Sequence, residues 1–277
     1  MSVPVALPAA LAYGVADFAG GLASRRAPVL TVVLVAQLTG LVALAPVVGL
    51  LPGSPSMAAF GVGAVAGIAG TVGLLLYLRG LAVGPMGLVA PLSSVVGAGL
   101  PLVVGLLAGE RLGPITLVAV GVALVAITLA SAGTRSDAAA GTGLALGMGA
   151  GLGFGLFFVA LDATPSDSGL WPLLAGRVVA VVLLAIVVLG PALAGRRPAG
   201  PGPLALVVTS GVLDTVANVL FLLATRLGDL GISAVVVSLY PVVVVLLARV
   251  VLHERLTALQ LTSAGLSLTA SVLLAAS

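Results

Sequence analysis

Apolar residues run along this chain in stretches of about 18–23, the length that crosses roughly 30 Å of hydrocarbon, and short polar or Pro/Gly-rich breaks separate them. The pattern predicts ten spans, at 3–23, 28–50, 57–80, 86–108, 114–131, 142–161, 170–190, 203–225, 230–251 and 257–276. Each is predicted to be helical, because a backbone in lipid has no other local way to satisfy its amides. The first run lacks a basic start, carries Asp17 and is followed at once by a second run, so it reads as a span and not as a cleaved signal. Two helix starts are marked by their own chemistry: Thr257-x-x-Gln260 has capping-box spacing, and Gly113-Pro114 puts proline at a first helical position.

The spans repeat. At an offset of 144 residues, Gly67 and Thr71 fall on Gly211 and Thr215, Gly84 and Gly87 on Gly228 and Gly231, and Ser94 on Ser238. Glu110-Arg111-Leu112 falls on Glu254-Arg255-Leu256 and Gly121 on Gly265. With small slips, Tyr13-Gly14 meets Phe154-Gly155 and Gln37 meets Arg177. The stretch 133–141 is the seam, dividing a first repeat (1–132, helices 1–5) from a second (142–277, helices 6–10). Five spans per half is odd, so the second half enters the membrane upside down. The predicted fold is an all-α integral membrane protein of ten transmembrane helices in two inverted five-helix repeats. Such a repeat is the mark of a transporter whose substrate site lies where the halves meet.

Composition agrees. Hydrophobic residues make up 61% of the chain and charged residues 7%, against roughly 25% charged in a soluble domain. Lipid is the solvent this surface fits. The net charge of +3 comes from arginines scattered through loops; they make no basic face, so nucleic acid is not an expected partner. There is no cysteine, hence no disulfide or thiolate chemistry. Lys-free, Ala/Gly/Val-rich usage points to a GC-rich bacterial genome and so to a bacterial cell membrane. Arg25, Arg26, Arg79, Arg135, Arg196, Arg197, Arg249 and Arg255 lie near odd-numbered loops, against Arg111 and Arg226 near even ones. By the positive-inside rule the odd loops are cytoplasmic and both termini outside.

Polar side chains inside spans cost several kcal/mol when charged and by default mark a site or pathway. Here they are Asp17, one turn after Tyr13; Gln37; Ser93 and Ser94 after Pro91; Arg177; Asp214, with Asn218 one turn on; and Tyr240 before Pro241. At about 1.5 Å per residue, Asp17 and Gln37 share a depth toward the odd-loop face, while Arg177, Asp214 and Asn218 group toward the even-loop face, where Arg177 can reach Asp214. Tyr13, Asp17, Gln37, Arg177, Asp214 and Asn218 are expected to face a central cavity, with Ser94 and Tyr240 on its wall. Arg177 would attract a carboxylate or phosphate; Asp17 or Asp214 would bind an amine or carry a coupling proton. Each has a plainer reading beside this one. Arg177 and Asp214 are equally read as a neutralising pair, Gln37 and Asn218 as interhelical glue, the serines as bonded to carbonyls one turn earlier, and Tyr240 as packing. Glu110 and Glu254 suit helix starts electrostatically, and His253 reads as a solvated loop residue. Gly143, Gly147, Gly151 and Gly155 have the small-xxx-small spacing of tight helix packing.

Gly-Glu-Arg-Leu at 109–112 and His-Glu-Arg-Leu at 253–256, each ending the fourth span of a half, resemble the drug/metabolite transporter superfamily, and within it the ten-helix EamA-like family. The aromatic-Gly pairs Tyr13-Gly14 and Phe154-Gly155 and the second-span Arg177 are similar too; Gln37 stands where the first half of such proteins often has Arg. The resemblance covers nearly the whole chain. It implies a carrier of amino acids, other metabolites or drugs, often outward, by alternating access, and it implies cytoplasmic termini, against the arginine count. A lipid-linked substrate flippase or a passive channel of the same architecture is the alternative. One loop histidine, no cysteine and no paired acids supply neither a nucleophile–base pair nor metal ligands, so no enzyme, metal or cofactor is expected. The expected partners are a small-molecule substrate and the bilayer, and the state a monomer or homodimer.

Overall fold

The computed structural model describes residues 3–50, 52–107, 113–133, 138–165, 167–193, 200–227, 237, 240–253 and 258–275. Among them the protein is all-α, with ten helices. These are α1 (Val3–Ser24), α2 (Val29–Val48), α3 (Met57–Val83), α4 (Met86–Leu107), α5 (Pro114–Gly133), α6 (Ala138–Asp162), α7 (Trp171–Leu193), α8 (Leu204–Leu227), α9 (Tyr240–Val251) and α10 (Ala258–Ala275). The expected spans coincide with helices, usually within a few residues at each end. Six of them, α1, α2, α3, α6, α7 and α8, are long and apolar enough over their described residues to cross a membrane. Ser238, the two Glu-Arg-Leu repeats, Thr257, and most of the ninth span before Tyr240 lie outside the described residues.

Local chemistry sets the helix ends. Ser56 accepts a hydrogen bond from the Ala59 amide (3.1 Å) and so caps α3. Pro114 opens α5 as the sequence predicts. His253 follows α9 with a φ of 54°, the left-handed turn that ends helices, and its side chain is exposed as expected.

The outside of the bundle is apolar: Val42, Val65, Ile115, Leu124, Ile186 and Val250 are all exposed, as lipid-facing residues should be. The inside is small. On α1, Ala6, Ala9, Ala10, Ala16, Ala19 and Ala23 are buried, and such residues let helices approach closely where lipid gives little hydrophobic drive between them. Gly143, Gly147, Gly151 and Gly155 lie against α4, meeting Val89, Val96 and Leu100. Packing runs α3 on α6 and α7, α8 on α1 and α2, α4 on α6, α9 on α1, and α5 on α10; α2 meets α7 and α4 meets α9. At one end of the bundle the α2–α3 loop is tied to the α6–α7 loop. Ser54 N–H donates to Asp167 O (2.9 Å) and Trp171 Nε1–H to Gly53 O (3.2 Å). Just past the end of α1, Arg25 donates to the carbonyls of Leu81 (3.0 Å) and Gly84 (3.3 Å) at the end of α3.

Candidate functional site

Three helices meet at one arginine. Arg177 on α7 donates through Nη1 to Gln37 Oε1 on α2 (2.6 Å) and through Nη2 to Asp214 Oδ2 on α8. Arg177 and Asp214 form the one ion pair among the described residues. Asn218, one turn along α8, donates to the Asp214 backbone carbonyl (2.7 Å) and reaches its carboxylate (3.3 Å). Each terminal nitrogen of the guanidinium therefore donates one hydrogen bond within the protein, and the pair is electrically neutral. In an apolar bundle that neutrality matters, because an unpaired charge would be costly at this depth. The guanidinium still keeps 11% of its side chain accessible and Asp214 27%.

Gln37 departs from its expected grouping. Helical depth placed it with Asp17, yet it bonds to Arg177. A long guanidinium spans about a helical turn, so depth along the axis does not decide partners when two helices touch. The contact depends on a residue that sequence reasoning missed. A Cβ added at Gly40, one turn after Gln37, would strike the Arg177 guanidinium and would stand 2.7 Å from Thr215 Oγ1. Glycine here is the space that Arg177 occupies. Its signal in the sequence was only its helical spacing from Gln37.

A second cluster surrounds Asp17. Tyr13 lies one turn earlier on α1, and its ring meets that of Tyr240, the first residue of α9, at 6.1 Å between centroids and 55° between planes. The Tyr240 hydroxyl is within hydrogen-bonding reach of Ser93 and Ser94 on α4; Ser93 also donates to Ala90 O (3.0 Å), the back-bond expected of it. Tyr77, from α3, was not anticipated. Its side chain is wholly buried, its hydroxyl faces Asp17, and no partner meets it at hydrogen-bond geometry. Asp17 is set deep among α1, α3 and α9, close enough to Asp214 for the two to repel, and still partly accessible. The structure thus places the eight sequence-selected residues in two groups: Gln37, Arg177, Asp214 and Asn218 in one, Tyr13, Asp17, Tyr240 and Ser94 in the other.

No curated protein matches the chain. One crystal structure of a protein is similar over 98% of this chain and 95% of its own, with 17% sequence identity and a TM-score of 0.57, a likeness of fold alone. Residues 141–276 match the model of the EamA-like transporter family. Over those residues the chain is therefore an EamA-like transporter domain of the drug/metabolite transporter superfamily, in a multi-pass membrane protein that is not an enzyme.

Proposed function

We infer that the protein is a secondary transporter of small metabolites in a bacterial cell membrane, working by alternating access between two inverted five-helix repeats, 1–132 and 142–277. One observation carries this reading. The polar network of an otherwise apolar bundle joins the two halves: Gln37 from the first accepts from Arg177 of the second, which is bonded in turn to Asp214 beside Asn218, and its charged members keep accessible surface. Such a site lies where the helices that must move meet, as in transporters with midplane sites between repeats.

The repeat has support in matching contacts. Gly67 abuts Gly176, and Gly211 abuts Ala36; Gly211 and Ala36 are the positions that the sequence repeat pairs with Gly67 and Gly176. Thr71 Oγ1 donates to Gly67 O (2.6 Å) as Thr215 Oγ1 donates to Gly211 O (2.9 Å). Gly14 lies against Tyr240 O and Val243, and Gly155 against Gly97 O and Leu100. Exchanging each helix with the one five places on converts α3–α6 and α3–α7 packing into α8–α1 and α8–α2.

Flux tests the transporter reading. Purified protein in liposomes should move at least one small metabolite, at carrier and not channel rates. Asp214→Asn and Arg177→Gln should each lose or uncouple that flux while remaining folded and membrane-inserted. Wild-type flux in both variants would leave the pair as structure and sink the site.

A further inference from the structure

Asp17 stands apart from the rest of the buried chemistry. Among the described mid-span charges, Arg177 and Asp214 cancel, and no basic side chain pairs with Asp17. The chain has three tyrosines, and all three lie around this carboxylate: Tyr13, one turn away on its own helix and near Asp214 and Arg177 as well, Tyr77 from α3 and Tyr240 from α9. Aromatic residues are 4% of the sequence, so this grouping takes a large share of what is available. Tyr13 and Tyr240 form a tilted ring pair beside the acid. The Tyr77 hydroxyl is buried and turned to the same carboxylate.

We propose that Asp17 is the counter-ion for a ligand bearing one cationic nitrogen, a small organic ammonium ion, held against the rings of Tyr13 and Tyr240. The charge balance selects this class. A monocation bound against Asp17 as its carboxylate forms a neutral pair, and with Arg177 and Asp214 cancelling each other the central region then carries no net charge, whereas a bound anion would leave one uncancelled. Asp214 already neutralises Arg177, so an anion bound there would bring a charge with no partner left to cancel it. Tyrosine faces attract ammonium groups through their quadrupoles, more strongly once water is excluded. The proposal rests on the central region being a substrate site, and it names the substrate's charge.

The test uses the full chain in lipid nanodiscs and four probes: phenethylamine, tetramethylammonium, 2-phenylethanol and phenylacetate. Thermal unfolding and titration calorimetry should show stabilisation and binding by at least one of the two cations, and by neither of the others. Asp17→Asn should weaken that binding at least tenfold, whereas Asp17→Glu should retain most of it. Tyr240→Leu, which leaves the carboxylate in place, should weaken it about 2- to 30-fold, and it serves as the test if Asp17→Asn does not accumulate. Failure of both cations to bind, equal binding of phenethylamine and 2-phenylethanol, or unchanged cation affinity in Asp17→Asn would each overturn the proposal. Flux of neutral or anionic compounds with no cation binding would overturn it and leave the transporter reading standing. Cation binding that depends on Asp17, with no flux of any compound in liposomes, would support the ammonium site and defeat the transporter reading.

Discussion

Asp214 and Asp17 are both carboxylates inside an apolar bundle, yet their surroundings differ in kind. Asp214 is bonded to Arg177 and Asn218, so its charge is answered within the protein. Asp17 faces phenol rings and a second acid, and among the described residues no cation answers it. One site is finished and the other is incomplete. The first explains how the bundle tolerates a charge pair; the second is where we propose that a ligand binds.

The sharpest way to break this contrast is to remove Arg177. Arg177→Met strands a buried carboxylate, and breaking such pairs typically costs about 3–5 kcal/mol; with 27% of Asp214 accessible, water softens this, and a loss near 3 kcal/mol is expected. Asp17→Asn removes no cationic partner and relieves the repulsion with Asp214, so it should cost far less than Arg177→Met. Equilibrium unfolding in mixed detergent micelles would compare the two. Equal losses would mean that Asp17 has a structural partner after all.

That comparison also marks how far the sequence could be read. Helix positions were legible because about 20 apolar residues can do little else in a bilayer, and among the described residues a helix lies over each expected span, over the ninth from Tyr240 on. The polar candidates were legible because ionisable groups are rare there. Their partners were not all legible. Arg177 with Asp214 followed from depth, but Gln37 with Arg177 needed to be known as a contact between α2 and α7, which periodicity does not give. Tyr77 was missed because a tyrosine in an apolar span looks like packing; only its hydroxyl turned to Asp17 distinguishes it.

A smaller effect is expected at Gly40, where the finished site depends on an absent side chain. Gly40→Ala puts a methyl group into the volume of the Arg177 guanidinium. Overpacking of this kind costs about 1–3 kcal/mol. The cost should shrink in an Arg177→Met background, giving a coupling of about 0.5 kcal/mol or more between the two positions. Additive losses would show that Gly40 answers to some other neighbour, Thr215 being the obvious one.

The smallest expected effect concerns Gln37, and it tests what the ion pair leaves undone. Gln37 and Arg177 fall at corresponding places in the sequence repeat, and their side chains touch, one accepting from the other. An arginine at both places would set two like charges face to face, which the low dielectric of the bundle would penalise. Glutamine avoids that repulsion and supplies an acceptor. Gln37→Leu removes a single hydrogen bond while Arg177 keeps Asp214, and interhelical hydrogen bonds in membrane proteins average about 0.6 kcal/mol. A loss of about 1 kcal/mol is therefore expected by the same unfolding assay, the excess reflecting a charged donor. Gln37→Arg should cost more than Gln37→Leu despite keeping a polar side chain, because it adds the repulsion. If Gln37→Arg were the milder change, the guanidinium of Arg177 would have to be free to turn away toward Asp214 alone, and Gln37 would be a neighbour of the site without helping to hold it.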